Sequence, residues 1–237
     1  YSLDLAQAAS REIATRLMEI RNEQISRQQQ LEHYYSTRRG RRDEIQRVWR
    51  NARYEGQELP NSNSWSLPRD GRLEVDFVVI KRPMGGPVMG TWDFEDLLDA
   101  YKEGSMEEEA LIRHLRKVSD EVLFLVEQVI RVLSVLKKPR LRTEMVVIAW
   151  ARTLDWHRLK HVYEYMFPNE IQMLRERIGW ANLFDETFAV GFYELNLKDV
   201  EQRWVAQELV HLSCEEPGEN MRECTFNNAD FEVPLFW

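Results

Sequence analysis

The sequence predicts a mostly α protein: a helical bundle with a long N-terminal helix and one isolated β-strand or small hairpin. Three observations predict it. No Gly or Pro appears before Gly40. Leu111, Leu115, Val118, Val122, Leu125, Val129, Val132 and Leu136 recur in an unbroken helical spacing. Strict alternation of apolar and charged residues is confined to a short stretch, Leu73 to Val79.

The first helix is expected over residues 3–36, with Leu5, Ile13, Leu17, Ile20, Ile25 and Leu31 as a narrow apolar stripe. At 1.5 Å per residue it would be roughly 50 Å long. It is too polar for a core, so it is expected to lie along another surface or to pair in a coiled coil. A second short helix, over about residues 43–54, carries an Arg cluster. Residues 55–71, EGQELPNSNSWSLPRDG, form a turn-rich linker.

In the strand that follows, Leu73, Val75, Phe77 and Val79 alternate with Glu74 and Asp76, the pattern of a half-buried strand. The tail offers it a partner, because Phe231, Val233, Leu235 and Trp237 also alternate, with Pro234 confining the tail to a sheet edge. Both segments are equally suited to adding to the sheet of another protein. Residues 82–90, RPMGGPVMG, read as a stiff structural loop. They match neither phosphate-binding glycine pattern, and Pro87 removes an amide from the middle. Trp92 is expected to anchor this loop onto the bundle.

From Asp93 to Cys214 the pattern is helical. A second stripe of Leu123, Val126, Ile130 and Leu133 beside the first requires packing on at least two neighbours. Ser105 with Glu108 supplies a capping box at the start of this central helix. Lys137, Lys138 and Pro139 mark its end. Further helices are expected over residues 142–166, 169–195 and 198–214. The resulting organisation is an extended helical arm (1–55), a linker with strand and Gly/Pro loop (56–91), a helical bundle (92–214) and an acidic, aromatic tail (215–237).

Charge is distributed unevenly. The net charge is -8. Within residues 38–53, Arg38, Arg39, Arg41, Arg42, Arg47, Arg50 and Arg53 face only Asp43 and Glu44, a local +5. From Asp185 onward twelve acids face three bases, a local -9. The arginines suit phosphate or carboxylate. If helical, Arg39, Arg42, Arg50 and Arg53 would align for RNA, with Trp49 and Tyr54 to stack on bases. The competing reading, favoured by the overall acidity, is a docking surface for an acidic protein or for the chain's own acidic tail.

No catalytic motif is present, so a non-enzyme without cofactor is expected. His157 and His161, four apart, and His211 and Cys214, three apart, have helical spacings that suit zinc ligands. No paired CxxC and no HExxH accompanies them, and an amphipathic surface explains WHRLKH. Glu127 is expected to pair with Arg131 at i+4. Two cysteines exclude a disulfide scaffold. No apolar run is long enough to span a membrane. Tyr-Ser at the start suits a boundary within a longer protein or a mature end left by a mitochondrial presequence.

The function expected from these features is a non-catalytic architectural subunit of a large intracellular assembly, with a mitochondrial complex among the candidates. Its partners would be other protein subunits, docking on Phe231, Val233, Leu235, Phe236 and Trp237. The alternatives are an RNA-contacting protein of a ribosome or other ribonucleoprotein, acting through residues 38–53, and a metal-assisted helical enzyme.

Overall fold

The structure is a computed structural model describing residues 1–35, 47–59, 65–78, 83–189, 191–215 and 221–232. It overturns the expected bundle with a lone strand. The strand expected over 73–79 is observed at Arg72–Phe77 as an inner member of a four-stranded antiparallel sheet, and a second, two-stranded sheet lies near the C-terminus. The chain divides into two compact units: residues 1–21 with 47–178, and residues 22–46 with 179–237.

In the first unit the sheet is made of β1 (Ser2–Asp4), β2 (Trp49–Tyr54), β3 (Gln57–Glu58) and β4 (Arg72–Phe77), in the order β1-β4-β2-β3. β4 pairs with β1 through Leu3 opposite Leu73, and with β2 through Tyr54 opposite Leu73 and Trp49 opposite Phe77. β4, expected to stand alone, is therefore flanked by β1 and β2. Val233 to Trp237 lie outside the described residues. The expected helix over 43–54 is replaced, where described, by β2. Its period-2 pattern is obscured by a bulge between Arg50 and Arg53, which offsets the alternation by one residue. At the start of β4, Gly71 has φ of 90°, and a Cβ there would sit 2.5 Å from the Tyr54 hydroxyl. Only glycine fits both constraints.

α1 (Ala8–Tyr35) starts later than expected because residues 2–4 are strand. The Asp4 carboxylate ends that strand and accepts from the Ala6 amide at 3.1 Å. Its first turns cover one face of the sheet. Ala14, Leu17 and Met18 pack with Leu3, Leu5, Val48, Trp49, Leu73 and Val75. Ile13, assigned to the stripe, is exposed, and Arg21 is buried with its guanidinium over Trp49 at 5.4 Å.

The helices of this unit are α2 (Thr91–Lys102), α3 (Glu108–Val118), α4 (Val126–Val135), α5 (Pro139–Ala149), α6 (Lys160–Tyr163) and α7 (Pro168–Ile178). The apolar residues of 111–136 are largely buried, but on two helices rather than one. Between them the chain extends so that Leu123 exchanges backbone hydrogen bonds with Pro87 and Met89, and Phe124 with Arg152 and Leu154. These long-range bonds replace the intrahelical ones and stop the helix. α4 is restarted by the Asp155 carboxylate on the Val126 amide and by Gln128 Oε1 on the Leu125 amide. The expected capping box at Ser105 does not form. Glu108 is buried and accepts instead from the Lys137 amide at 2.7 Å and from the Tyr101 hydroxyl at 3.3 Å. Arg131 forms its ion pair with Glu95 of α2.

A buried ion pair ties α5 to α7. Arg142 Nε donates to Glu170 at 2.7 Å, and its other nitrogens donate to the Leu133 and Tyr165 carbonyls. Glu170 also accepts from the Phe167 amide at 2.9 Å. Every polar group of this pair that is taken from water thus finds a partner.

In the second unit, α8 (Trp180–Leu183) and α9 (Val200–Glu215) enclose a small aromatic core. Phe184 meets Trp204 edge-on at 5.8 Å. Glu201 and Glu208, seven apart on α9, are buried, so part of the acidic C-terminal charge faces inward. β5 (Thr225–Phe226) and β6 (Ala229–Asp230) form a hairpin. Its two turn residues, Asn227 and Asn228, both have positive φ, the backbone of a type I′ turn. Both cysteines are free thiols. No helix among the described residues is long and apolar enough to cross a membrane.

Candidate functional site

The alternation in β4 sends Leu73 and Val75 toward α1 and sends Glu74 and Asp76 to the opposite face. That second face is not left to water. Arg177, from the last turn of α7, forks onto Asp76, with Nη2 to Oδ1 at 2.7 Å and Nε to Oδ2 at 3.1 Å. The same guanidinium bonds Glu144 of α5, and Glu144 bonds Arg116 of α3. One alternating chain of charges, Asp76–Arg177–Glu144–Arg116, therefore links the sheet to three helices.

The β2 bulge adds Asn51 to this chain. Asn51 has φ of 49°, a left-handed conformation that asparagine tolerates better than most residues. Its side-chain amide donates to Asp76 Oδ2 at 2.9 Å and to the Glu176 carbonyl at 3.2 Å. Burial opposes ionisation of Asp76. The hydrogen bonds and charge of Arg177, with the Asn51 amide, outweigh it and hold the carboxyl below its ordinary range. Burial also lowers the Arg116 guanidinium, and the neighbouring Arg177 charge adds to that.

Beside this network a cleft of about 410 Å³ opens between β2, β4, α5 and α7. Arg53, Arg140 and Arg177 supply its cations, Glu74 and Glu176 its carboxylates, and Met173 and Thr143 its less polar wall.

Apart from the cleft, several large side chains are exposed. Trp156, Tyr165 and Phe167 flank α6 with 46%, 50% and 62% of their surface in solvent. Phe167 lies under the Arg142 guanidinium at 5.5 Å, so its ring rests on the buried ion pair. Met84 and Trp92 are 99% and 83% exposed. Trp92 therefore does not anchor its loop. The loop is held by its backbone bonds to Leu123 and by Gln128 Nε2 on the Met89 carbonyl at 3.0 Å.

The residues singled out in the sequence are dispersed. Arg38, Arg39, Arg41 and Arg42 lie outside the described residues. Arg50 and Arg53 are on a strand, not a helix. Trp49 is in the core, and the partly buried Tyr54 ring packs against that core and meets Trp65 at 6.1 Å. His157 is exposed in a 3-10 turn (Trp156–Arg158). His161 lies 3.2 Å from Glu164 in the first unit. His211 lies 2.9 Å from Glu215 in the second, where Cys214 is exposed. Among the described residues no three His, Cys, Asp or Glu converge as metal ligands. Phe231 packs at a tilt against Phe226, ring centroids 5.8 Å apart, and Val233, Leu235, Phe236 and Trp237 are outside the described residues.

Asp76, Asn51, Glu144, Arg116 and Arg177 were not legible as a group. They come from five elements, and the only signal was the charged side of the β4 alternation.

No protein-family model matches the chain. No solved structure matches it either. A stretch of 88 residues, 37% of the chain, is 34% identical to a segment of the rat protein Microtubule-actin cross-linking factor 1, of whose length the chain spans 1%.

Proposed function

We propose that the chain is a non-catalytic architectural subunit that docks a protein partner through the aromatic surface around α6. The observation that carries this reading is the exposure of Trp156, Tyr165 and Phe167 within one short connection. Aromatic residues are enriched where proteins meet, because they offer large contact area at low entropic cost. Tyr165 and Phe167 stand on a rigid mount. Arg142 and Glu170 fix the Tyr165 carbonyl and the Phe167 amide, so little ordering is left to be done on docking. The partial likeness to a protein named for cross-linking microtubules and actin supports a linking role over a catalytic one.

The test is a pull-down of the tagged chain from its native source, with and without ribonuclease, alongside the double variant Tyr165→Ser, Phe167→Ser. A defined set of proteins should survive nuclease and fall about tenfold in yield with the variant, the scale of a modest hot spot. Retention unchanged by the variant would remove the aromatic surface from the account. Loss of all partners with the RNA would replace this reading by RNA contact through the arginines of residues 38–53.

A further inference from the structure

The cleft beside β2 and β4 is independent of the aromatic surface and does not need that reading to hold. We propose that it binds a small zwitterion of the amino-acid or short-peptide class, with Arg53 and Arg140 taking the carboxylate and Glu74 and Glu176 the ammonium.

About 410 Å³ lies within the roughly 300–1,000 Å³ of small-molecule sites. Charge then narrows the class. The rim carries both signs, so a simple anion meets Glu74 and Glu176, and a simple cation meets Arg53 and Arg140. A ligand with one charge of each sign satisfies both.

The arginines of the rim are open to a ligand, while Glu74 is shared with exposed Arg72 at 3.3 Å and Glu176 accepts a long bond from Gln172 at 3.4 Å, contacts a ligand ammonium would have to join or displace. The Arg140 side chain makes no hydrogen bond or ion pair among the described residues. Arg53 sits opposite Glu74 on β4 and opposite Glu58 on β3, and reaches Glu58 only at 3.8 Å. Arg177 is different, because Asp76 and Glu144 already occupy its guanidinium. It forms a fixed wall and leaves the recognition of a carboxylate to the other two.

The local backbone points the same way. The bulge and the left-handed Asn51 lie two residues from Arg53, and such irregularities re-aim side chains next to binding sites. Asn51 holds the bulge against Asp76 and Glu176, so the strand cannot relax away from α7. Half-buried Met173 offers the less polar part of a ligand a surface.

The experiment is titration of the full chain, followed by NMR, with alanyl-leucine, its N-acetyl derivative, its C-terminal amide, a panel of free amino acids, and inorganic phosphate. At least one free zwitterion should bind at millimolar concentration or below, and blocking either of its ends should weaken binding about tenfold. Arg140→Gln should weaken the free zwitterion while leaving its amide unchanged. Glu176→Gln should weaken the free zwitterion while leaving its N-acetyl form unchanged. Both side chains are at the surface, and unchanged spectra elsewhere confirm that the variants fold. No binding by any zwitterion at millimolar concentration overturns the proposal. So does binding indifferent to end-blocking, or phosphate binding as tightly as the zwitterion, which would mark a plain anion site.

Discussion

The two faces of β4 are built from alternating residues of one short strand, yet they are held by different physics. Leu73 and Val75 face α1 and are buried among Leu3, Leu5, Leu17 and Trp49. Asp76 faces α7 and is held by directed hydrogen bonds from Arg177 and Asn51. The apolar face needs only shape and area, and the hydrophobic effect rewards any good fit. The polar face needs each donor to meet its acceptor, because an ion taken from water without a partner is costly. The apolar face therefore carries most of the stability, and the polar face sets the register of sheet against helices and shapes the cleft.

The apolar face is the stronger of the two. Leu73→Ala should cost about 2–5 kcal/mol, the range for an enclosed leucine that leaves a cavity, measured by urea unfolding at neutral pH. A loss under about 1 kcal/mol would mean that α1 does not seal this face.

Asp76→Asn should cost less, about 2–3 kcal/mol, because it removes charge-assisted bonds while keeping the side chain's shape. This loss should depend on pH. The folded carboxyl titrates below its ordinary range. Its stabilising contribution is therefore present above the unfolded value of about 3.9 and disappears as pH falls through the lower, folded value. The gap between wild type and variant should shrink on acidification from neutral pH toward pH 3. A gap that stays constant would show that the Arg177 pair is not what holds this face.

The smallest effect belongs to the bulge. Asn51→Ala loses two hydrogen bonds and leaves a less tolerant residue at positive φ, whereas Asn51→Gly loses the bonds alone. The alanine variant should be less stable than the glycine variant by about 1 kcal/mol. Equal stabilities would mean that the strand relaxes once Asn51 is gone.

Legibility in the sequence followed the same division. The helical character after Asp93 and the strand at Leu73 were visible because apolar periodicity records which side of an element is buried, but the bounds were not: the helix expected over 142–166 is split into α5 and α6, and the one expected over 169–195 into α7 and α8. β2 was not, since its bulge breaks the period and its arginines read as helix formers. The break between α3 and α4 was hidden by an unbroken apolar spacing. That spacing continues through residues 119–125, where backbone bonds to Pro87, Met89, Arg152 and Leu154 take over. Trp92 read as an anchor because tryptophan is usually buried, and nothing local revealed that Gln128 and Leu123 hold the loop instead. Alternation reveals a strand but never its neighbour, so β1 and β2 were not legible as the partners of β4.

Periodicity, turn chemistry and composition are local, and they alone marked the helical character of the residues after Asp93, the two-sided character of β4 and the acidic, arginine-clustered charge pattern. Pairing is not local. Arg177 lies 101 residues from Asp76 and 33 from Glu144. Which carboxylate meets which guanidinium, and hence the cleft beside them, was decided only when the chain brought these elements together, because every acid and base in the sequence has the same charge to offer and only position distinguishes them.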